Sequence, residues 1–284
     1  MKTKHLLLTG ILGLALAGMI MTGCKKDTAA DTDSSAAQDD ANATFAINDS
    51  KNAADGAAMN QTNTERVLGS ACATVTKRDT TVNGMLDSLM DINFGPSPGC
   101  QCADGRTRQG HLFVYWDHAH PYFTSGDTIN MTFGNYKVNN RGIAGTRMLV
   151  NIGLDSAGNM SWKFTASLTI TNPNGTTCTW QAARTHTLAY TNGAWYYEIT
   201  GGGSGVSSTG VTYTHTINTP IYYTAIRPWN GGCAFPEAGT VTFTRSNRQY
   251  PLVLNYISGI GNCPTQGDYA TATINNNTFQ VNLP

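Results

Sequence analysis

The chain has 284 residues, with 18 Lys and Arg balanced by 18 Asp and Glu, so its formal net charge at pH 7 is zero. Charged residues make up 13% of the chain, which is about half the usual share. The sequence therefore lacks the excess of basic residues that nucleic-acid binding requires, and we expect no nucleic-acid partner. With 30 glycines and many threonines and asparagines, it favours strands and turns over helices.

The N-terminal segment has the pattern of an export signal. Lys2 and Lys4 precede an apolar run from Leu6 to Met21, and Thr22-Gly23-Cys24 follows. This segment resembles a bacterial lipoprotein signal peptide with its lipobox. The resemblance implies that residues 1–23 are removed and that the Cys24 thiol carries lipid, including palmitate. The alternative, an uncleaved membrane anchor, has less support, because about 17 apolar residues interrupted by glycines barely span a bilayer.

The predicted lipid places the protein in the cell envelope. We expect attachment to the outer membrane through Cys24, facing the periplasm or the cell surface, with the membrane as one partner. The residues after it, Lys25-Lys26-Asp27, are similar to the charged signals of surface-exposed lipoproteins in Bacteroidota.

The six remaining cysteines are even in number, and in an oxidising compartment they predict disulfides. They are Cys72, Cys100, Cys102, Cys178, Cys233 and Cys263. Sequence alone cannot choose among their connectivities. Because cysteines that flank a hairpin lie at the same end of it, we hypothesise the pairs Cys72–Cys100 and Cys233–Cys263, which leaves Cys102 with Cys178.

Composition divides the exported chain into two parts. From Cys24 to about residue 66 the chain is rich in Ala, Asp, Thr, Ser and Asn, with Phe45, Ile47 and Met59 as its sizeable apolar residues. Such a segment buries too little apolar surface to offset chain entropy, so we predict a disordered linker over residues 24–66. Residues 67–284 are predicted to form one domain.

That domain shows the period-two alternation of half-buried strands. The pattern is clearest in Val211 to Ile217, and it recurs in Thr240 to Thr244, Phe164 to Thr171 and Leu252 to Tyr256. Turn signals separate these runs; they include Val82-Asn83-Gly84, Asn139 to Gly142, Ala157-Gly158-Asn159, Asn172 to Gly175, Gly201 to Gly205 and Asn275 to Asn277. No window after the signal predicts a helix. The fold class is therefore all-β, with antiparallel β-meanders forming a sandwich or a strongly curved open sheet.

One segment carries a family resemblance. Phe94-Gly95 precedes Cys102, Asp104-Gly105-Arg106, Arg108 and Gly110. Further matching positions are Gly145 to Arg147, Asn151, Gly153, Trp180, Arg184 and Cys263. This set resembles a group of uncharacterised β-rich lipoproteins of Bacteroidota, although Asn93 stands where that group usually has Asp. The resemblance implies the fold and the location, and it transfers no functional residue because no activity is established for the group.

Two segments are candidates for chemistry. Cys100-Gln101-Cys102 near Asp104 can be a metal site, but structural zinc sites space cysteines more widely, and a disulfide-pinned loop fits better. Asp117, His118 and His120 can form a metal or acid–base set. A turn between strands explains them more simply, since no distant ligand cluster joins them.

Other catalytic arrangements have little support. The chain has no Gly-x-Ser-x-Gly elbow and no His-Glu-x-x-His motif. Glu198 with Asp117 or Asp127 is the available carboxylate pair for glycoside hydrolysis, and nothing links these residues in sequence.

We therefore expect a non-catalytic structural or binding module without a cofactor. Its ligand would be a glycan or a surface protein, and aromatic residues such as Trp195-Tyr196-Tyr197, Tyr222-Tyr223 and Trp229 are candidates for stacking on sugars. The alternative function is an envelope hydrolase or metal-dependent enzyme that uses Asp117, His118 and His120.

Overall fold

The computed structural model describes residues 31–59, 72–122, 124–191, 194–224, 233, 235–246, 248–262 and 269–282. The chain from Asp31 to Pro284 forms one compact unit. The predicted signal peptide and Cys24 lie outside the described residues. None of the helices in the described ranges has the length and hydropathy needed to cross a membrane.

The described chain contains one helix and fourteen strands. The helix is α1 (Ser35–Met59). The strands are β1 (Thr74–Val82), β2 (Met85–Asn93), β3 (Cys100–Gln101), β4 (Thr107–Asp117), β5 (Thr128–Val138), β6 (Arg141–Leu154), β7 (Met160–Thr171), β8 (Thr177–Thr191), β9 (Ala194–Val206), β10 (Thr212–Thr224), β11 (Ala238–Arg245), β12 (Leu252–Tyr256), β13 (Tyr269–Ile274) and β14 (Asn277–Asn282).

The strands form a single antiparallel sheet in chain order, from β1 at one edge to β14 at the other, and only the short β3 lies off this path, on β4. The prediction of an all-β fold built from sequential hairpins is confirmed, as an open sheet. Each strand pairs with its neighbour in sequence, which is the topology that short connections favour.

Most of the predicted turns are found where the sequence places them. Asn83 and Gly84 have positive φ between β1 and β2, and Asn139 and Asn140 do so between β5 and β6. The turn predicted at Gly201 to Gly205 is wrong, because this run lies inside β9. A Cβ atom on Gly203 would lie 2.0 Å from the carbonyl oxygen of Gln181 on β8. Glycine is needed there for close approach of the two backbones.

The helix is the main departure from the sequence prediction. Residues 35–59 fall in the predicted disordered linker, yet they form α1, and most of their side chains are buried. Nine of these 25 residues are alanine, the best helix former. The expectation of a disordered segment without helix is therefore wrong for these residues.

The sheet curves around α1, which contacts β2, β4, β8, β11 and β14. Small helix residues such as Ala36, Ala46 and Ala53 share one apolar core with the inward side chains of the strands. Asp39, Asp40 and Asp49 are buried on the same helix, each at 2% exposure or less. Buried carboxylates require partners, and the strands supply them.

The connections between strands lie at two ends of the sheet. At the Asp31 end lie the turns β5–β6, β7–β8, β9–β10 and β11–β12, and Asp31 itself, whose carboxylate accepts a hydrogen bond from Arg245 at 2.8 Å. At the opposite end lie the connections β4–β5 and β6–β7, the end of β8 and the start of β9.

Candidate functional site

The histidine segment does not form a joint site. Asp117 ends β4, and His118 and His120 follow in the β4–β5 connection. The His118 Nδ1 atom lies 3.0 Å from Asp79, whereas the His120 Nδ1 atom lies 2.7 Å from Asp127 and 3.7 Å from Asp117. The two histidines thus contact different carboxylates, and in the described ranges these side chains make no group of three converging metal ligands.

The cysteines pair differently from the predicted scheme. Cys72 and Cys102 form a disulfide with their Cα atoms 5.4 Å apart. The predicted pairs Cys72–Cys100 and Cys102–Cys178 are therefore wrong. The Cys100 Sγ atom is still within 4.8 Å of both bonded sulfurs. Cys72 lies at the predicted end of the β1–β2 hairpin, and it pairs with Cys102 instead of Cys100, which is only two residues away.

The other cysteines fall into three situations. Cys178 on β8 is a buried thiol. Burial, followed by the nearby Asp39 carboxylate, raises its pKa to about 12, which makes it a poor nucleophile. Cys233 is disulfide-bonded. Its predicted partner Cys263 and the predicted lipidation site Cys24 lie outside the described residues, so both predictions remain predictions.

Three neighbouring cysteine sulfurs can bind a soft metal ion only when they are thiolates. Cys72 and Cys102 are bonded to each other, so the cluster with Cys100 cannot ligate a metal in this state. The segment is a loop held by a disulfide, as the sequence predicts.

The arginines of the same segment hold the helix. Arg108 donates to Asp49 from Nε at 3.0 Å, Arg106 donates to it from Nη1 at 2.7 Å, and the Tyr136 hydroxyl donates at 2.8 Å. Burial opposes ionisation of Asp49, but the Arg108 guanidinium outweighs it and lowers the pKa of that carboxyl below its ordinary value. Arg108 also binds Asp104. The carboxylate that Arg106 and Arg108 share is therefore on α1.

A second buried network joins α1 to β8 and β10. The Trp180 indole donates to Asp40 at 2.6 Å, and the Arg184 guanidinium donates to the same carboxylate at 3.0 Å. Arg184 also donates to the Thr44 hydroxyl at 3.1 Å. Trp180 and Arg184 are among the residues of the family resemblance, so these matching positions support the packing of the helix.

The strongest candidate for ligand binding is a cleft of about 670 Å³ on the outer face of the sheet, at the Asp31 end. Sequence reasoning did not identify it. The chain after β2 forms one wall, where the Phe94 N–H donates to the Gly110 carbonyl at 2.9 Å and the Gly110 N–H donates to the Gly95 carbonyl at 2.8 Å. At Gly110 the φ angle is +79°, and a Cβ atom would lie 2.4 Å from the Asn135 carbonyl oxygen. Only glycine fits this contact.

The lining of the cleft combines polar and apolar groups, and no carboxylate is among its lining residues. Outward-facing residues of β4 and β5 contribute Gln109, His111 and Lys137, and Thr171 lies at the far side on β7. The ring of His111 is held by Asp91, with 2.8 Å between Nδ1 and the carboxylate oxygen. Amide, hydroxyl and ammonium groups on a rigid sheet are suited to a polar ligand that is neutral or negatively charged.

The predicted aromatic platform is largely buried. Tyr196 and Tyr223 belong to the interior, and Trp195 is 43% exposed. Its ring pairs with that of Tyr190, with centroids 5.2 Å apart. Trp229 lies outside the described residues.

Comparison with family models, with curated proteins and with solved structures finds no match to this chain.

Proposed function

We propose that this protein is an envelope lipoprotein, anchored to the outer membrane through Cys24, that binds a glycan in the outer-face cleft and catalyses no reaction. The observation that carries the binding role is the cleft itself, whose volume and mixed polar and apolar lining suit a sugar chain. Amides and hydroxyls match sugar hydroxyls, and the exposed Pro96 provides apolar surface for sugar C–H groups.

The position of Asp31 supports anchoring close to the membrane. Six residues separate Cys24 from Asp31, and an extended chain over these seven residue steps reaches at most about 25 Å. A lipidated Cys24 would therefore hold the Asp31 end, where the cleft lies, within reach of envelope polysaccharides. This tether is shorter than the predicted linker of residues 24–66, because α1 belongs to the folded unit.

A glycan array followed by calorimetry tests the binding role, using the chain from residue 24 with Cys24→Ala. Gln109→Ala and Lys137→Ala are expected to weaken binding of the selected glycan about tenfold each, which corresponds to one lost charge-assisted or well-placed hydrogen bond. Lys163→Ala is the matched control, an exposed lysine on β7 outside the cleft. The proposal would be contradicted if the protein binds no glycan on the array, or if Lys163→Ala weakens glycan binding as much as Lys137→Ala does.

Lipidation has its own test. Cells fed an alkyne-bearing palmitate analogue should label the full chain, and Cys24→Ala should abolish the label and release the protein from membranes. Labelling that survives Cys24→Ala would show that another residue carries the lipid. This result would contradict the assignment of Cys24 as the lipidated residue.

The rival function, an envelope hydrolase or metal-dependent enzyme using Asp117, His118 and His120, has less support because the two histidines contact different carboxylates. Metal analysis of the purified protein and of the variant carrying His118→Ala and His120→Ala distinguishes the two. Stoichiometric metal that is lost in this variant would favour the rival.

A further inference from the structure

A buried arginine on β6 lacks the partners that the other interior arginines have. Arg147 is 5% exposed, and its guanidinium lies over the Phe164 ring, 5.5 Å from the centroid. Its Nη1 atom meets the Met131 sulfur at 3.9 Å, and its Nε atom has no hydrogen-bond partner among the described residues. Arg108 and Arg184, by contrast, bind Asp49 and Asp40.

Two more polar atoms on the neighbouring strands β7 and β8 are buried without partners in the described part of the chain. They are the Trp162 Nε1 and the His186 Nε2 atoms. Trp162 and His186 are directly paired across β7 and β8, and the His186 ring lies 5.3 Å from that of Phe164, the ring that Arg147 covers. The indole N–H and the guanidinium N–H are donors only, so the group that would satisfy them is an acceptor.

The charges around these donors leave a positive excess of one. Lys51 on α1 lies over the Tyr197 ring at 5.6 Å and forms an ion pair with Asp55. Asp55 also accepts a hydrogen bond from the Tyr122 hydroxyl at 3.0 Å, so this carboxylate already has two donors. Burial, and then repulsion by Arg184, Arg147 and Lys51, lowers the pKa of His186 well below its ordinary value, so this imidazole is neutral. Asp55 also attracts Arg147, so among the described residues here one carboxylate faces the two cations Lys51 and Arg147, and one positive charge is left over.

An apolar rim adjoins this place at the opposite end of the sheet. Leu154, Met160, Leu188 and Tyr197 are successive cross-strand partners on β6 to β9. Met160 is two residues from Trp162, and Leu188 is two residues from His186, so these side chains share the inward face. Leu154 is 69% exposed and Met160 is 41% exposed, and the paired rings of Tyr190 and Trp195 extend the rim.

We propose that this region binds an amphipathic monoanion, a carboxylate with an apolar tail. Its acidic group accepts hydrogen bonds from Arg147 and Trp162, and its tail packs against Met160, Tyr190 and Trp195. One negative charge balances the excess of one positive charge, which is the reason for a monocarboxylate. The site lies on the inward face at the opposite end of the sheet, and it is independent of the glycan cleft.

Calorimetric titration with octanoate tests the site, using the chain from residue 24 with Cys24→Ala. Acetate, which has the carboxylate without the tail, and octan-1-ol, which has the tail without the carboxylate, are the comparison ligands. Octanoate is expected to bind at least tenfold more tightly than either, because only it engages both donors and rim. Arg147→Met should remove the preference for octanoate over octan-1-ol. Tyr190→Ala with Trp195→Ala should weaken octanoate and leave acetate unchanged.

Lys163→Met, an exposed position on β7, is the control and should bind octanoate as the parent does. The proposal is overturned if octanoate binds no better than octan-1-ol, or if Arg147→Met binds octanoate as tightly as the parent. Should Arg147→Met not fold, Trp162→Phe takes its place, since it removes one N–H and keeps the ring. A severalfold weaker octanoate affinity in that variant supports the site, and an unchanged affinity overturns it.

Discussion

Replacing Asp49 with asparagine is the most direct test of the buried helix. The Asp49 carboxylate accepts hydrogen bonds from Arg108, Arg106 and Tyr136, and neither Asp49 nor Arg108 has side-chain exposure. In Asp49→Asn the new amide N–H groups would face donors, and Arg108 would keep only Asp104, itself partly exposed. Removing one partner of a buried ion pair costs about 3–5 kcal/mol. We expect about 3 kcal/mol because Asp104 remains.

The free energy of unfolding is measured by urea denaturation with the disulfides intact, as a shift in midpoint at constant m-value. Asn52→Ala is the matched control on the exposed side of the same helix, and it should change stability by less than about 0.5 kcal/mol. Asp49→Leu combined with Arg108→Met should recover most of the loss, since it removes both charges together. If Asp49→Asn unfolds at the parent's urea concentration, residues 35–59 are not packed inside the sheet, and the reasoning fails.

Four further outcomes are expected. Peptide mapping without reduction should join Cys72 to Cys102. Iodoacetamide at pH 8 should modify Cys178 only after unfolding, because burial raises the pKa of this thiol to about 12. Rapid labelling of Cys178 in the folded protein would contradict this expectation. As the pH falls below 6.5, the ordinary pKa of histidine, stability should decrease, because the unfolded chain protonates His186 and the folded chain does not. Urea titrations at pH 7 and pH 5 measure this slope, which His186→Gln should flatten, whereas an equal slope in both proteins would refute the assignment. Gly203→Ala should destabilise the fold by about 3 kcal/mol or more, since the new Cβ atom would lie 2.0 Å from the carbonyl oxygen of Gln181. A variant that melts at the same temperature as the parent would show that β8 and β9 can move apart at no cost in free energy.

The predictions that hold are those that depend on near neighbours in sequence. Alternation in Thr212 to Ile217 marks a strand, because successive side chains of a strand point to opposite faces. The Asn83-Gly84 pair predicts its turn, because these residues tolerate positive φ. The run from Gly201 to Gly205 shows the limit of this reasoning. The same residue type serves a turn or a close strand contact, and only the neighbouring strand decides which.

The functional candidates depended on convergence of distant residues, which the sequence does not encode in any local pattern. His118 and His120 are two residues apart, but they contact different carboxylates, Asp79 on β1 and Asp127 before β5. The cleft is built from β2, β4, β5, β6 and β7 around Gly110, and its lining residues are unremarkable one by one. Arg147 belongs to the set of positions that resembles a lipoprotein family, yet only the packed structure distinguishes it from the paired Arg108 and Arg184.

By itself, the sequence determined an antiparallel all-β architecture, because strand alternation and turn chemistry are local. It also predicted export and lipidation at Cys24. Only the tertiary structure decided the fate of residues 35–59. Taken alone, this segment has no apolar stripe, and its aspartates predict a solvated chain. Inside the sheet, Arg108 meets Asp49, and Arg184 and Trp180 meet Asp40. Partners that are about 60 to 140 residues away thus allow the carboxylates to be buried and the alanines to fill the core.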